Sequence, residues 1–130
     1  MLEIIKTYLL SLVVLMGLDG IWLGFISRDF YHKYLGFIFT DKVTWWPILI
    51  FYPIYAIGVV AFVLIPSIEA KSILMALWRG ALLGLVAYAA YDLTNNATIA
   101  NWPVIITFAD MAWGIVVTAL TSAIVYAIMR

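Results

Sequence analysis

Between Tyr88 and Trp113 the chain reads YAAYDLTNNATIANWPVIITFADMAW, with two carboxyls, three asparagines and three threonines but no lysine or arginine. Acids in so apolar a setting can exchange protons, hold a cation, or join helices by hydrogen bonds. A carboxylate at the centre of a spanning helix costs roughly 2.5–3.5 kcal/mol on insertion scales, so something must offset Asp110 in particular. A third acid, Asp19, interrupts an earlier apolar run. Asp19 and Asp110 each have a tryptophan three residues on, Trp22 and Trp113, which places acid and indole on one helix face. The candidate binding residues are therefore Asp19, Trp22, Tyr91, Asp92, Asn95, Asn96, Asp110 and Trp113. No catalytic residue is assigned.

Composition removes most other chemistries. The 130 residues are 67% hydrophobic and 11% charged, against about 45–50% and 25% in soluble domains. A short soluble chain could not hide that much apolar surface, so an integral membrane protein is expected. Without cysteine there is no disulfide, thiolate ligand or thiol nucleophile. The one histidine, His32, sits in a polar stretch and argues against haem or a histidine-based zinc site. Oxygen atoms of the three acids, Asn95 and Asn96 would suit a hard cation, but their spacing follows no recognised loop. No metal or cofactor is assigned. A net charge of zero and the lack of a basic run exclude nucleic acid as a partner.

A spanning helix needs about 20 mostly apolar residues, and four segments qualify: 4–26, 45–65, 73–93 and 104–128. The sequence thus predicts one all-α transmembrane domain over residues 1–130, a four-helix bundle. The first run resembles a signal peptide after Lys6, yet no small-x-small cleavage site follows it and Asp19 interrupts; it is read as an uncleaved span. Between the first two spans, Phe30, Tyr34, Phe37 and Ile38 recur at helical spacing among charged residues, which predicts a short interfacial helix. Trp45, Trp46 and Trp102 are expected at the headgroup level. Pro53 should kink the second span and Pro66 should end it. Arg79 is expected to snorkel toward the headgroups. Thr107, Asp110, Gly114, Thr118 and Thr121 form one small, polar stripe that should face inward.

Antiparallel packing brings the end of the first span, the end of the third and the start of the fourth to one side. Counting about 1.5 Å per residue puts Asp19 and Asp110 roughly 12–14 Å below that surface, with Asp92 nearer to it. Three acids therefore converge in one half of the bilayer, and Trp22 and Trp113 travel with them toward a pocket. Lys6, Lys71, Arg79 and Arg130 lie on the opposite side, and the positive-inside rule favours cytoplasmic termini. Gly20/Gly24 and Gly80/Gly84 each make a G-x-x-x-G, offering faces for close helix packing or a homodimer.

Asp19-x-x-Trp22-Leu23-Gly24, Tyr91-Asp92-Leu93-Thr94-Asn95 with Ala97-Thr98 and Trp102-Pro103, and Asp110-x-x-Trp113-Gly114 together resemble the small bacterial membrane family catalogued as domain of unknown function 2177. The resemblance covers essentially the whole chain. It implies a multi-pass protein of the bacterial inner membrane with four helices, and it supplies no activity. Three function classes follow from the residues themselves. One is binding or translocation of a small solute or proton at the acids. Another is an enzyme acting on a lipid with carboxylates as general acid and base, so enzymatic activity is left open. The last is a non-catalytic subunit or scaffold. The bilayer is a partner in each, with a small solute or lipid as the ligand in the first two.

Overall fold

Four helices are long and apolar enough to cross a membrane: Leu2–Ile26, Trp45–Ala70, Ile73–Thr98 and Val104–Met129, hereafter spans 1 to 4. The computed structural model describes residues 1–40 and 42–130; Asp41, which the sequence places in the interfacial stretch, lies outside them. Among the described residues there is no strand. A short helix, Arg28–Leu35, and a 3-10 turn, Gly36–Ile38, follow span 1. The chain is thus an all-α bundle with an interfacial helix between spans 1 and 2. Valine, leucine, isoleucine and phenylalanine cover the outward faces, with Val13, Phe62, Leu74 and Phe108 all exposed, as a lipid-facing surface requires.

Spans 3 and 4 form the closest pair, because glycines remove the side chains between them. A methyl group on Gly84 would lie 2.0 Å from the Gly114 carbonyl oxygen, and one on Gly80 would lie 2.8 Å from that of Thr118. The Gly80/Gly84 face is consumed inside the chain and is not free for a homodimer. Gly20 and Gly24 meet nothing within 4 Å among the described residues; none of the described helices uses their close-packing surface. The inward stripe of span 4 is as the spacing predicts. Thr107, Gly114, Thr118 and Thr121 are buried, and the Thr118 hydroxyl meets that of Tyr55 at 2.8 Å.

Two spans run longer than their sequence suggests. Span 2 continues through Pro66 to Ala70, by way of a π-helical turn, Val60–Leu64. Proline cannot donate to the carbonyl four residues back, that of Phe62, and Arg79 supplies the missing donor: its Nη1 lies 3.1 Å from Phe62 O. Arg79 is therefore drawn to span 2 rather than to the headgroups. Span 3 continues past Leu93 to Thr98 because its polar residues turn back onto the helix. The Thr94 hydroxyl donates to Ala90 O, and that of Thr98 to Thr94 O at 2.8 Å.

Spans 2 and 3 touch through Val60–Leu64 and the turn that follows, whereas the first half of span 2 packs on span 1. Pro53 lies inside that first half. The two spans therefore diverge toward the interfacial helix, and this divergence shapes the site.

Candidate functional site

Asp92 lies six residues before the end of span 3, and Asp110 six residues after the start of span 4. At about 1.5 Å per residue both sit roughly 9 Å in from the helix ends. Asp92 is thus no nearer the surface than Asp110; the extension of span 3 to Thr98 accounts for the difference from the sequence-based depth. Both carboxyls line one cavity of about 250 Å³, together with Arg28, Tyr31, His32, Tyr91 and Trp102. Asp92 is 0% exposed, and neither of its carboxyl oxygens accepts from a donor group among the described residues; the side chain within hydrogen-bonding reach is that of Asp110, itself an acid. Arg28 shares the cavity, yet among those residues it forms no ion pair with either acid.

Asp110 is held differently. The Tyr31 hydroxyl donates to its Oδ1 at 2.7 Å, and Trp22 Nε1 donates to that hydroxyl at 3.3 Å. Tyr31 reaches this position because the chain turns sharply after span 1. A π-helical turn, Trp22–Ile26, ends in buried Ser27, whose backbone N–H and hydroxyl both donate to Trp22 O at 2.8 Å. The interfacial helix then presents Tyr31 and Leu35 to Trp102 and Ile106, leaving Arg28 and His32 exposed at the rim of the cavity and Lys33 exposed to solvent. Its buried stripe is offset from that expected: Phe30 and Tyr34 are half-buried beside it, and Phe37 and Ile38 are exposed. Burial, then the negative charge of Asp110, pushes the Tyr31 phenol above its ordinary range, so it remains a donor at neutral pH.

The third acid does not share this cavity. Asp19 Oδ1 accepts from Trp113 Nε1 at 2.8 Å, and Oδ2 from the Tyr52 hydroxyl at 2.7 Å. Both oxygens are thus used in joining spans 1, 2 and 4. Trp22 and Trp113 stack on one another rather than lining the cavity. Asn96 Oδ1 accepts from the Thr107 hydroxyl at 2.8 Å, and Trp102 Nε1 donates to Thr107 Oγ1 at 3.0 Å. This chain pins spans 3 and 4 above the acid pair, and neither Asn95 nor Asn96 lines the cavity. Trp102 is 7% exposed, a core residue instead of a headgroup anchor. Asn101, in the left-handed conformation at φ 63°, turns the chain so that its neighbour points inward; asparagine is among the few residues that adopt this readily.

Of the sequence-derived candidates, then, Tyr91, Asp92 and Asp110 meet at the cavity, while Asp19, Trp22, Trp113 and Asn96 tie together the helices around it and Asn95 does not line it. Sequence reasoning missed Tyr31 and Tyr52. Tyr31 was legible only as the residue four before Leu35, and Tyr52 carries no signal beyond being a polar aromatic inside a span. Among the described residues no three His, Cys, Asp or Glu side chains converge as metal ligands would.

A family model described as predicted membrane protein, DUF2177, matches residues 4–127. The chain belongs to that family. Neither a curated protein nor a solved structure matches it. The family's function is unknown, so what this DUF2177 chain does must be read from the cavity itself. Asp110 and Tyr91 also line a second, larger cavity of about 490 Å³ between spans 2 and 3, with Ile48, Phe51, Tyr55, Ala87 and Tyr88.

Proposed function

We propose that the chain binds a positively charged solute at Asp92 and Asp110, in exchange for a proton, as the recognition step of a small membrane transporter or receptor. The observation that carries this reading is Asp92, fully buried, with no donor group of the described residues on either carboxyl oxygen and only a second acid, Asp110, within hydrogen-bonding reach. An uncompensated buried charge costs several kcal/mol. Asp92 therefore needs either a proton or a cation, and the cavity gives a cation room to reach it. A carboxyl serving only as helix glue would use its oxygens, as Asp19 does.

The reading takes residues 1–130 as one transmembrane unit in the inner membrane of a bacterium. Both termini are cytoplasmic, on the ground of the lysine and arginine bias, so the acid pair lies in the outer half of the bilayer.

The test is binding to the purified protein in dodecyl maltoside of a panel of monovalent organic cations: methylammonium, tetramethylammonium, guanidinium, dodecyltrimethylammonium and tetraphenylphosphonium. At least one should bind with release of about one proton per site, and Asp92→Asn and Asp110→Asn should abolish both signals. Binding that survives in both variants would reject the assignment.

A further inference from the structure

The second cavity bears on what kind of cation this is. It is a groove where spans 2 and 3 diverge, walled by Ile48, Phe51 and Tyr55 on one side and Ala87, Tyr88 and Tyr91 on the other. Phe51 and Tyr91 are about half exposed on its outer edge. Its lining is apolar or aromatic except at one point, the Asp110 carboxyl, which also lines the polar cavity. Asp110 and Tyr91 are therefore the threshold between an aromatic groove on the lipid side and an acid-bearing chamber on the interfacial side. At about 490 Å³ the groove falls in the range that encloses drug-sized ligands, roughly 300–1,000 Å³.

The two openings differ in charge. On the interfacial side the chamber is lined by Arg28, with His32 beside it. A hydrated inorganic cation arriving from water meets a guanidinium before it meets either acid. The groove offers no such barrier, and the faces of Phe51, Tyr55, Tyr88 and Tyr91 attract a desolvated cation through their ring quadrupoles. Charge complementarity thus favours an occupant that is apolar along most of its length and positive at one end.

We propose that the ligand is an amphiphilic organic cation, an alkyl or aryl ammonium, which enters from the lipid between spans 2 and 3. Its charged head rests at Asp110 and Asp92, and its apolar tail occupies the groove of Ile48, Phe51, Tyr55 and Tyr88. This rests on the acid pair being a cation site and adds the class of the cation and its route.

Chain length tests it on the unmodified protein. Alkyltrimethylammonium ions from tetramethyl to dodecyl would compete for bound radiolabelled tetraphenylphosphonium in dodecyl maltoside, with dodecyl sulfate as the anionic control. Dodecyltrimethylammonium should compete at a concentration at least about 100-fold lower than tetramethylammonium, the gain from withdrawing three or four methylenes from water. Dodecyl sulfate should not compete. Ile48→Trp, which fills the groove from its lipid edge, and Phe51→Ala, which removes one wall, should each shrink that advantage at least about tenfold. Equal potency of the short and long ions would overturn the amphiphile and its groove while the cation reading stands. Competition by dodecyl sulfate as strong as by the cation would overturn it by making the groove a site for any tail. Binding of every cation undiminished in Asp92→Asn and Asp110→Asn would bring down both.

Discussion

The indoles of Trp22 and Trp113 stack face to face, with centroids 4.5 Å apart and planes 7° from parallel. Each belongs to an Asp-x-x-Trp element, and the antiparallel helices make the elements cross over. Trp113 donates directly to Asp19, whereas Trp22 reaches Asp110 only through the Tyr31 hydroxyl. The stacked pair thus separates an acid whose oxygens are both used from an acid pair that faces a cavity. Stacking of this kind adds about 0.5–1.5 kcal/mol beyond area burial, and it fixes where each indole N–H can point.

Replacing each acid by asparagine should therefore have opposite effects on stability. Asp19→Asn keeps one acceptor oxygen for two donors, Trp113 Nε1 and the Tyr52 hydroxyl. The donor left over costs about 1–3 kcal/mol, so the unfolding midpoint in detergent should fall. Asp92→Asn replaces a buried acid that accepts from no donor group among the described residues, and so removes the cost of keeping that acid buried; stability should hold or rise, by about 1 kcal/mol or more. Reversible unfolding in mixed micelles checks both signs.

The glycines divide just as sharply. Gly84→Ala would set a methyl 2.0 Å from the Gly114 carbonyl oxygen, and backbone cannot yield as a side-chain end can. A loss of about 3 kcal/mol or more is expected. Gly20→Ala and Gly24→Ala meet nothing within 4 Å and should change stability by less than about 0.5 kcal/mol. Thermal scans of the three variants would show the contrast.

Arg79 and Pro66 should be energetically coupled. Arg79→Leu leaves Phe62 O without the guanidinium, at a cost of about 1–3 kcal/mol. Pro66→Ala restores a backbone N–H four residues on, so in that background the same substitution should cost less. A double-mutant cycle should return a coupling of about 1 kcal/mol. Additive effects would mean that the 3.1 Å contact does not stand in for the missing donor.

Most of the architecture was legible in the sequence, because four apolar runs and only seven basic and seven acidic residues leave few arrangements in a bilayer. The inward stripe of span 4 was legible for the same reason: Thr107, Gly114, Thr118 and Thr121 recur at helical spacing. The partition of the acids was not. Asp19, Asp92 and Asp110 look alike as letters in apolar runs, and what separates them is a pair of donors, Tyr52 and Tyr31, from segments distant in the chain. The length of span 3 was hidden too. Thr94, Asn96 and Thr98 read as a polar loop, but their side chains bond back to carbonyls or across to Thr107.

Acidity should compete with the ligand. A proton on the acid pair neutralises the charge that a cation needs, so affinity should fall as pH is lowered, by up to about tenfold per unit where one proton is exchanged. The other groups facing the pair are Arg28, Tyr31 and His32 on the interfacial helix and Tyr91 on span 3. His32→Gln separates their part: it should leave the slope in place if the acids set it. Equilibrium dialysis of tetraphenylphosphonium between pH 5 and 9 provides the slope.

The most direct measurement is proton release on adding tetraphenylphosphonium to weakly buffered protein, compared among the unmodified chain, Asp19→Asn, Asp92→Asn and Asp110→Asn. The unmodified chain should release about one proton per bound cation, the exchange that an acid pair sharing a cavity implies. Asp19→Asn, once folded, should do the same, and Asp92→Asn and Asp110→Asn should neither bind nor release. Loss of the signal in Asp19→Asn alone, with the other two unchanged, would contradict the placement of the site at Asp92 and Asp110.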